Sequence, residues 1–414
     1  MSSPTSESLG QAMMGDSAGA PIRYPKSLAG SMLIRLLSRH KGRSVQPKPA
    51  VFALALPRRM KRGARGLIWW IPFWYVLAQI PLLLWIDPSW QPNRVRVECD
   101  KKQQLHERLG EAPDRPLVLM LGSSRTDWAF QAGRLTGRTG PDGRPLLAYN
   151  FGVPTTGPMH ESMYVHEFLD EGIRPRLILV EFVATHLNQS RRGILSEERF
   201  TIPSWLSAEQ VVFLRPYLSN KRRILLEWLE ARLAPWYGYR WSIHEHLQGK
   251  HSLERPWDQA RRPMDDWGCR LLFDDPNTPE FRARRWAGAF DMYGETLRNF
   301  RVGQGPLQAM HDLLARCRRE RIPVALVVMP VTKQFESIYN PQGRAELENV
   351  LADLRDQYGT EVIDGSDWLD LKDFDDGHHV IRSGAEKFTE RMIDEVQKVL
   401  ARTAPANERA EIER

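Results

Sequence analysis

A run of twenty uncharged residues near the N-terminus constrains this chain more than any other feature. Residues 67–86 read LIWWIPFWYVLAQIPLLLWI and contain no Asp, Glu, Lys or Arg. At a helical rise of about 1.5 Å per residue, such a run spans the hydrocarbon core of a bilayer, which is about 30 Å thick. A buried core helix is the alternative, and it is disfavoured by Pro72 and Pro81, which membrane helices tolerate. The run therefore predicts one transmembrane helix.

The charges around this run predict its orientation. Five Lys or Arg side chains lie between Arg58 and Arg65, whereas Asp87 and a Pro/Ser/Trp stretch follow the run. Basic flanks remain in the cytoplasm, so residues before the run are predicted inside and those after about residue 87 outside. Without a small-residue cleavage site, the run reads as a retained signal-anchor. A single-pass protein of the inner cell membrane is predicted.

Charge and cysteine content exclude other classes. The formal charge is +7, and residues 1–65 are strongly basic with only Glu7 and Asp16 as acidic residues. Because this excess adjoins an apolar run, it indicates a lipid-facing or topological role, and no nucleic-acid partner is predicted. The cysteines at 99, 269 and 317 lack metal-site spacing, and pairing of Cys99 with Cys269 is left open.

The segments beyond the membrane alternate strands with helices. Apolar runs predict strands at Leu117–Leu121, Leu146–Tyr149, Leu177–Phe182, Val324–Met329 and Glu361–Ile363. Helical periodicity predicts helices at Met159–Leu169, Leu307–Cys317 and Leu347–Leu354, and a last one carrying Phe388, Met392, Val396 and Val399. This alternation is typical of an α/β fold with a parallel sheet covered by helices.

The organisation that follows has five parts. It comprises a basic, partly disordered cytoplasmic segment (1–65), the transmembrane helix (67–86), a linker (87–114), the α/β domain (115–402) and a polar tail (403–414). Residues from about 190 to 300 interrupt the strand–helix rhythm, with one clear helix over Arg222–Leu233. They predict a mainly helical insertion that forms a cap or a partner-binding face.

A serine follows the first predicted strand. The strand from Leu117 runs directly into Gly122-Ser123-Ser124-Arg125. A serine where a strand turns into a helix exposes its hydroxyl at the carboxyl edge of the sheet, and the helix N-terminus favours developing negative charge. The position suits a nucleophile, and an ordinary helix N-cap is the alternative. Arg125 could bind an anionic sugar or pair with Asp127, and an ordinary surface or core salt bridge is the more common outcome.

A carboxylate and a histidine share one late loop, Asp376-Gly-His378-His379, with Gly384 five residues after His379. In a serine esterase the histidine accepts the proton of the nucleophile, while the carboxylate fixes the imidazole tautomer. Asp375 and His378 have the same spacing, which leaves the register open. The two histidines as metal ligands, or a solvated helix entry, are further alternatives.

Together these motifs resemble the SGNH (GDSL-like) hydrolase superfamily, which has a Gly-Asp-Ser-like first block and a D-x-x-H last block in the same order. Tyr149 to Gly157 is similar to the second block, with the oxyanion glycine position falling on Thr155. The Val328-Met329-Pro330 strand end resembles the membrane-anchored branch that includes alginate O-acetylation and D-alanyl-transfer envelope proteins.

The resemblance implies a three-layer SGNH-like fold and a set of site residues. Ser124 would be the nucleophile, His379 the general base and Asp376 its orienting carboxylate. The N–H groups of Ser124 and Thr155 would form the oxyanion hole. The third block, Gly-x-Asn-Asp in the family, is absent after the strand that begins at Leu177. Asn188 or His186 is then the candidate for the side-chain donor, and a surface role for either is the alternative.

The predicted function is that of a membrane-anchored extracytoplasmic esterase or O-acyltransferase that acts on acyl esters of envelope polysaccharide. A membrane-bound O-acyltransferase is the implied partner, and neither a cofactor nor a metal is predicted. The missing third block favours the alternative, a catalytically silent scaffold that binds glycan or an envelope-assembly partner.

Overall fold

The computed structural model describes residues 70–81, 93–189, 196–240, 243–244, 263–270 and 278–404. The chain divides into two units, Met1–Ile68 and Trp69–Arg414, and all described residues belong to the second. The predicted cytoplasmic segment therefore lies outside the described residues, as do residues 405–414 of the predicted tail.

The apolar run is described in part. Residues 70–81 are helical and largely exposed, and the rest of the predicted transmembrane segment lies outside the described residues. Among the helices that the structure describes, none is both long enough and apolar enough to cross a membrane.

The second unit alternates strands and helices. The strands are β1 Leu117–Gly122, β2 Leu147–Gly152, β3 Leu177–Glu181, β4 Val324–Val328 and β5 Glu361–Asp364. The helices are α1 Asn93–Glu111, α2 Ser124–Ala129, α3 Pro158–Asp170, α4 Glu197–Phe200, α5 Ala208–Leu214, α6 Lys221–Leu233, α7 Pro235–Gly238, α8 Pro279–Arg298, α9 Gln304–Glu320, α10 Lys333–Glu336, α11 Pro341–Tyr358 and α12 Arg382–Arg402. Short 3₁₀ turns occupy Ala132–Arg134, Ala184–Leu187, Pro203–Trp205, Arg215–Tyr217 and Leu371–Asp373.

The five strands form one parallel sheet in the order β2-β1-β3-β4-β5. All five predicted strands are confirmed, although β2 extends to Gly152, beyond its predicted end at Tyr149. In this order the chain reverses its direction of travel between β1 and β3, and such switch points are where open α/β sheets bind ligands. The carboxyl ends of β1 and β3 are therefore the expected location of a site.

Two apolar cores cover the two faces of the sheet. In β1, Leu119 and Leu121 contact one core, whereas Val118 and Met120 contact the other, as the two-residue period of a strand requires. The first core is completed by α3, α9 and α11, and the second by α12. The fold is a three-layer α/β arrangement, as predicted.

The segment predicted as a linker contains a 19-residue helix, α1. Its apolar residues Val97 and Leu105 are buried, and so is the charged side chain of Lys101. Because so few apolar positions are buried, no clear helical stripe marks α1 in the sequence. Cys99 on this helix is exposed and forms no disulfide, and Cys269 is buried and also unpaired, so the two do not form a bridge.

Candidate active site

The turn between β1 and α2 holds the first site residue. Ser123 is the N-cap of α2, since its hydroxyl accepts a hydrogen bond from the Arg125 N–H at 3.2 Å. Ser124 is the first residue of the helix and remains partly exposed. Gly122 is required before it, because a Cβ there would lie 2.1 Å from Thr126 Oγ1. The turn is thus closely packed beneath an accessible serine.

A buried carboxylate at the end of β3 holds this turn in place. Glu181 accepts hydrogen bonds from the N–H of Ser123 at 2.7 Å, from its hydroxyl at 3.0 Å, and from Thr126 Oγ1 at 2.7 Å. Its charge is paired with Arg125, whose Nε lies 3.2 Å from Glu181 Oε1. Sequence reasoning missed Glu181, although an acidic residue ending an apolar strand was a usable signal.

Three of the predicted site residues form a hydrogen-bonded chain. Ser124 Oγ lies 2.8 Å from His379 Nε2, and His379 Nδ1 lies 2.8 Å from Asp376 Oδ2. The other oxygen of Asp376 accepts the backbone N–H of His379 at 2.9 Å. With the proton on Nδ1, the imidazole donates to the carboxylate and accepts from the serine hydroxyl. That is the arrangement in which a histidine can take the proton of an attacking serine.

Asp376 is held in its ionised form. Burial by itself would raise the pKa of this carboxyl, but the His379 ring and the hydrogen bonds that His379 donates hold it well below its usual range. A carboxylate that stays charged at all ordinary pH values keeps the His379 ring in one orientation and stabilises its protonated form.

His378 occupies a different environment from His379. It is buried, with its ring centroid 4.7 Å from that of Tyr293 and 4.8 Å from that of Phe335. Burial lowers the pKa of His378 well below the ordinary value, so its ring is neutral. His379 is therefore the histidine that reaches the serine, and His378 packs behind it.

The metal alternative concerns the same loop. Asp376, His378 and His379 each offer one potential metal-ligand atom, and these three atoms all lie within 4.8 Å of one another. However, both ring nitrogens of His379 are already engaged, Nδ1 by Asp376 and Nε2 by Ser124. In this structure His379 is thus committed to the hydrogen-bonded chain between Ser124 and Asp376.

Thr155, which stands at the oxyanion glycine position of the second block, has a backbone conformation that favours glycine. Its φ is +62°, in the left-handed region that favours glycine and that few other residues adopt. It lies three residues beyond Gly152, which pairs with Gly122 in the sheet, and its side chain is partly exposed. Its loop therefore leaves the same edge of the sheet as the Ser124 turn.

Asn188 lies in a separate cleft. This cleft of about 710 Å³ is lined by residues that include Asn188, His186 and Glu197, and no triad residue is among those lining it. His186 is buried, and burial lowers its pKa to about 4, so this ring is neutral as well. The loop after β3 thus faces a cleft that is distinct from the Ser124–His379 contact.

The insertion supplies a carboxylate to the start of α3. Glu197 accepts the N–H groups of Gly157, Met159 and His160 at 2.8–3.0 Å, and His160 Nδ1 at 2.5 Å. Burial would raise the pKa of Glu197, but His160 and the backbone donors lower it to about 2. This contact fixes the loop that carries Thr155 and was not predicted from the sequence.

A buried ion cluster fixes α2 from its other side. Asp127 Oδ1 lies 2.7 Å from Lys101 Nζ on α1, and Asp127 Oδ2 accepts from Arg270 Nε of the insertion at 2.7 Å. All three side chains are almost fully buried. The suggested pairing of Arg125 with Asp127 is wrong, because Arg125 pairs with Glu181 and Asp127 with these two cations.

Helix α8 of the insertion contacts the triad loop. Arg285 forms an ion pair with Asp375, and its Nη2 lies 4.0 Å from Asp376 Oδ2. Tyr293, two turns further along α8, packs against His378. Asp375 is thus engaged by the insertion, whereas Asp376 is the carboxylate that orients His379.

Comparison with known proteins gives limited likeness. No protein-family model and no curated protein matches the chain. Among the solved structures that match, one is Est24, a carbohydrate acetylesterase from Sinorhizobium meliloti, which is 11% identical and aligns 69% of this chain with all of its own at a TM-score of 0.30. A mutant of the esterase AlinE4 is 10% identical and aligns 71% of this chain with 98% of its own at a TM-score of 0.27. An inhibitor-bound aryl esterase of M. smegmatis is 11% identical and aligns 69% of this chain with 99% of its own at a TM-score of 0.29.

Proposed function

We propose that the chain is a serine-dependent esterase or O-acyltransferase of the SGNH type, acting on acyl esters of envelope polysaccharide. The observation that carries this proposal is the hydrogen-bonded chain from Ser124 Oγ through His379 to Asp376, with 2.8 Å at each step. Ser124 and His379 are both partly exposed, so a substrate has access to the reacting atoms.

The proposed reaction proceeds through an acyl-enzyme. Ser124 Oγ attacks the ester carbonyl carbon while His379 Nε2 takes the hydroxyl proton, and the carbonyl oxygen becomes an oxyanion. When the tetrahedral intermediate collapses, His379 returns the proton to the departing sugar oxygen. Water or a second sugar hydroxyl then attacks the acyl group by the same route in reverse. The first outcome is hydrolysis and the second is transfer.

Two backbone donors are proposed for the oxyanion. The N–H of Ser124 lies in the first turn of α2, and the N–H of Thr155 lies in the loop that follows β2. A further side-chain donor from Asn188 stays a prediction, because the structure places Asn188 in the other cleft. The absence of one oxyanion donor costs about 10²–10³ in turnover, which weakens such an enzyme without abolishing its chemistry.

Membrane attachment is part of the proposal. The uncharged run 67–86 and the basic residues before it support a single span with a cytoplasmic N-terminus and an extracytoplasmic catalytic domain. A domain held at the membrane surface suits an envelope polysaccharide as substrate. It also suits a membrane-bound O-acyltransferase as a partner.

A catalytically silent scaffold that binds glycan or an assembly partner is the second candidate. It is favoured by one observation, the lack of a Gly-x-Asn-Asp block after β3. A fluorophosphonate probe separates the two candidates, because an activated serine displaces fluoride and forms a covalent phosphonate ester. We expect labelling of the folded chain at Ser124, found by peptide mass spectrometry, and none after denaturation or in Ser124→Ala. An unlabelled, folded wild-type chain would favour the scaffold.

A further inference from the structure

Exposed large apolar side chains are concentrated in two places. Sixteen such side chains occur among the described residues, and eight of them lie within the helical residues 70–81. Six more lie in the insertion, and we call them the apolar face: Val212, Leu226, Leu229, Leu233, Trp236 and Tyr237. Of the remaining two in the described part of the chain, Met292 lies on helix α8 of the insertion and Leu371 lies on the 3₁₀ turn Leu371–Asp373. Large contiguous apolar patches on a protein surface mark interaction sites.

Helix α6 turns its leucines outward. Leu226, Leu229 and Leu233 follow helical spacing on one side and are 57%, 44% and 71% exposed, whereas Ile224 and Ala231 on the other side are buried. A surface helix of a soluble domain places its apolar stripe towards the core and polar residues towards water. Helix α6 has apolar residues on both sides, so its outer side has no partner within the described residues.

One residue of the apolar face contacts the predicted membrane segment. Trp236 Nε1 lies 3.4 Å from the hydroxyl of Tyr75. Tyr75 precedes Ile86, the end of the predicted span, by eleven residues, or about 16 Å along a helix. A surface that touches Tyr75 has to enter the outer leaflet rather than rest on the headgroups.

Basic side chains accompany the apolar face. Residues 207–240 contain six Lys or Arg residues and three Glu residues. Arg222 falls on the same side of α6 as the leucines, and Arg240 stacks over the ring of Tyr237 at 4.0 Å. Long basic side chains can lie along apolar surface while their charged ends reach anionic headgroups. Apolar residues beside basic ones are typical of a surface that binds anionic lipid.

We infer that the apolar face inserts into the outer leaflet of an anionic bilayer, beside the membrane segment, and thereby seats the catalytic domain on the membrane. The inference rests on the membrane attachment under Proposed function. It adds a second membrane contact, made by the insertion, to the single span. A second copy of the chain explains the basic residues less well, because two such surfaces would bring like charges together.

Site-specific fluorescence quenching tests this inference on the full-length chain in vesicles of phosphatidylcholine and phosphatidylglycerol. Cys99→Ser removes the exposed cysteine, and the two remaining cysteines are buried. Single cysteines introduced by Leu229→Cys or Leu233→Cys then carry a bimane label. Val76→Cys reports on the membrane segment, and Leu371→Cys is the matched solvent control, since Leu371 is 51% exposed away from the apolar face. Circular dichroism checks that each variant is folded.

Nitroxide-labelled lipid is expected to quench the bimane emission at positions 229, 233 and 76. Aqueous iodide is expected to quench the emission at position 371 and at none of the other three positions. Quenching of 229 and 233 by iodide would overturn the inference. If iodide quenches positions 229 and 233 but the label at position 76 is still quenched by nitroxide lipid, the proposed membrane attachment survives. If the label at position 76 is not quenched by lipid either, both the membrane attachment and the insertion of the apolar face are excluded. Protection of 229 and 233 from both quenchers would show that protein covers this surface, and would overturn the inference as well.

Discussion

The carboxylate of Glu181 accepts hydrogen bonds from both the backbone N–H and the hydroxyl of Ser123, the residue before the proposed nucleophile. Glu181 ends β3, and Ser123 follows β1, the neighbouring strand in the sheet. The contact therefore joins the two strand ends at the topological switch point. It fixes the turn from which Ser124 is presented to His379.

Replacing Glu181 with Gln is expected to loosen this turn. The amide keeps the size of the side chain but removes the charge that pairs with the buried Arg125. Leaving one member of a buried pair uncompensated costs about 3–5 kcal/mol in the free energy of unfolding. Urea unfolding measures that loss, and fluorophosphonate labelling of Ser124 should slow in parallel. Glu390→Gln is the control, since Glu390 is an exposed acid that pairs with Arg134 at the surface. Equal stability of both variants would contradict the anchoring role.

The proposed triad is expected to behave as a unit. Ser124→Ala and His379→Ala should each lower turnover of an O-acetyl ester by a factor on the order of 10⁶, and the double variant should lose little more. Asp376→Asn should cost less, about 10⁴, because the ring stays in place but its tautomer is no longer fixed. Steady-state kinetics of the four variants measures this. Additive losses, or full turnover by Ser124→Ala, would contradict the triad.

His378→Ala provides the internal control for the histidine assignment. Because His378 packs against Tyr293 and Phe335, its loss is expected to reduce the free energy of unfolding. Turnover per folded molecule should nevertheless stay far above that of His379→Ala. If His378→Ala abolishes turnover while His379→Ala is tolerated, the register of the loop is wrong by one residue.

Thr155→Gly is expected to stabilise the chain without loss of turnover. Thr155 has a φ of +62°, a conformation that costs a residue with a Cβ about 1–2 kcal/mol and glycine very little. Its proposed contribution is a backbone N–H, which glycine retains. Denaturant unfolding and ester turnover check both parts. Thr155→Pro removes the N–H and, because proline fixes φ near −65°, also reshapes the loop, so turnover should fall by at least about 10²–10³. Equal turnover of the Gly and Pro variants would exclude this donor.

Glu197 is expected to make the stability of the chain depend on pH in the acid range. Its pKa falls from 4.5 to about 2 in the folded chain, so the unfolded chain binds the proton at higher pH than the folded chain does. The resulting stabilisation, about 3 kcal/mol, is complete above pH 4.5 and is lost as the pH falls from 4.5 towards 2.

The matched variant for this test is Glu197→Gln. Urea unfolding from pH 6 to pH 3 should show the wild-type chain more stable at pH 6, with the difference shrinking below pH 4.5. A difference that is constant over this range would mean that the Glu197 carboxylate does not contribute through its ionisation.

The sequence by itself determined the strands and the order of the motifs. A central strand of a parallel sheet is buried on both faces, so runs such as Leu117–Leu121 are continuously apolar and can be recognised locally. The turn at Ser124 and the D-x-x-H loop are likewise local patterns. The spacing to Gly384 favoured His379, and the structure places its Nε2 at 2.8 Å from Ser124 Oγ.

Only the tertiary structure decided which charged groups hold these motifs together. Glu181 is 58 residues from Ser123, and Lys101 and Arg270 meet Asp127 from helix α1 and from the insertion. No local periodicity encodes such pairs, because each depends on how distant segments pack and on which charges burial forces to pair. The same reason explains why α1 was not recognised in the sequence: its few buried positions include Lys101, whose charge is paired with Asp127 and whose ammonium group also donates to the Asn150 carbonyl.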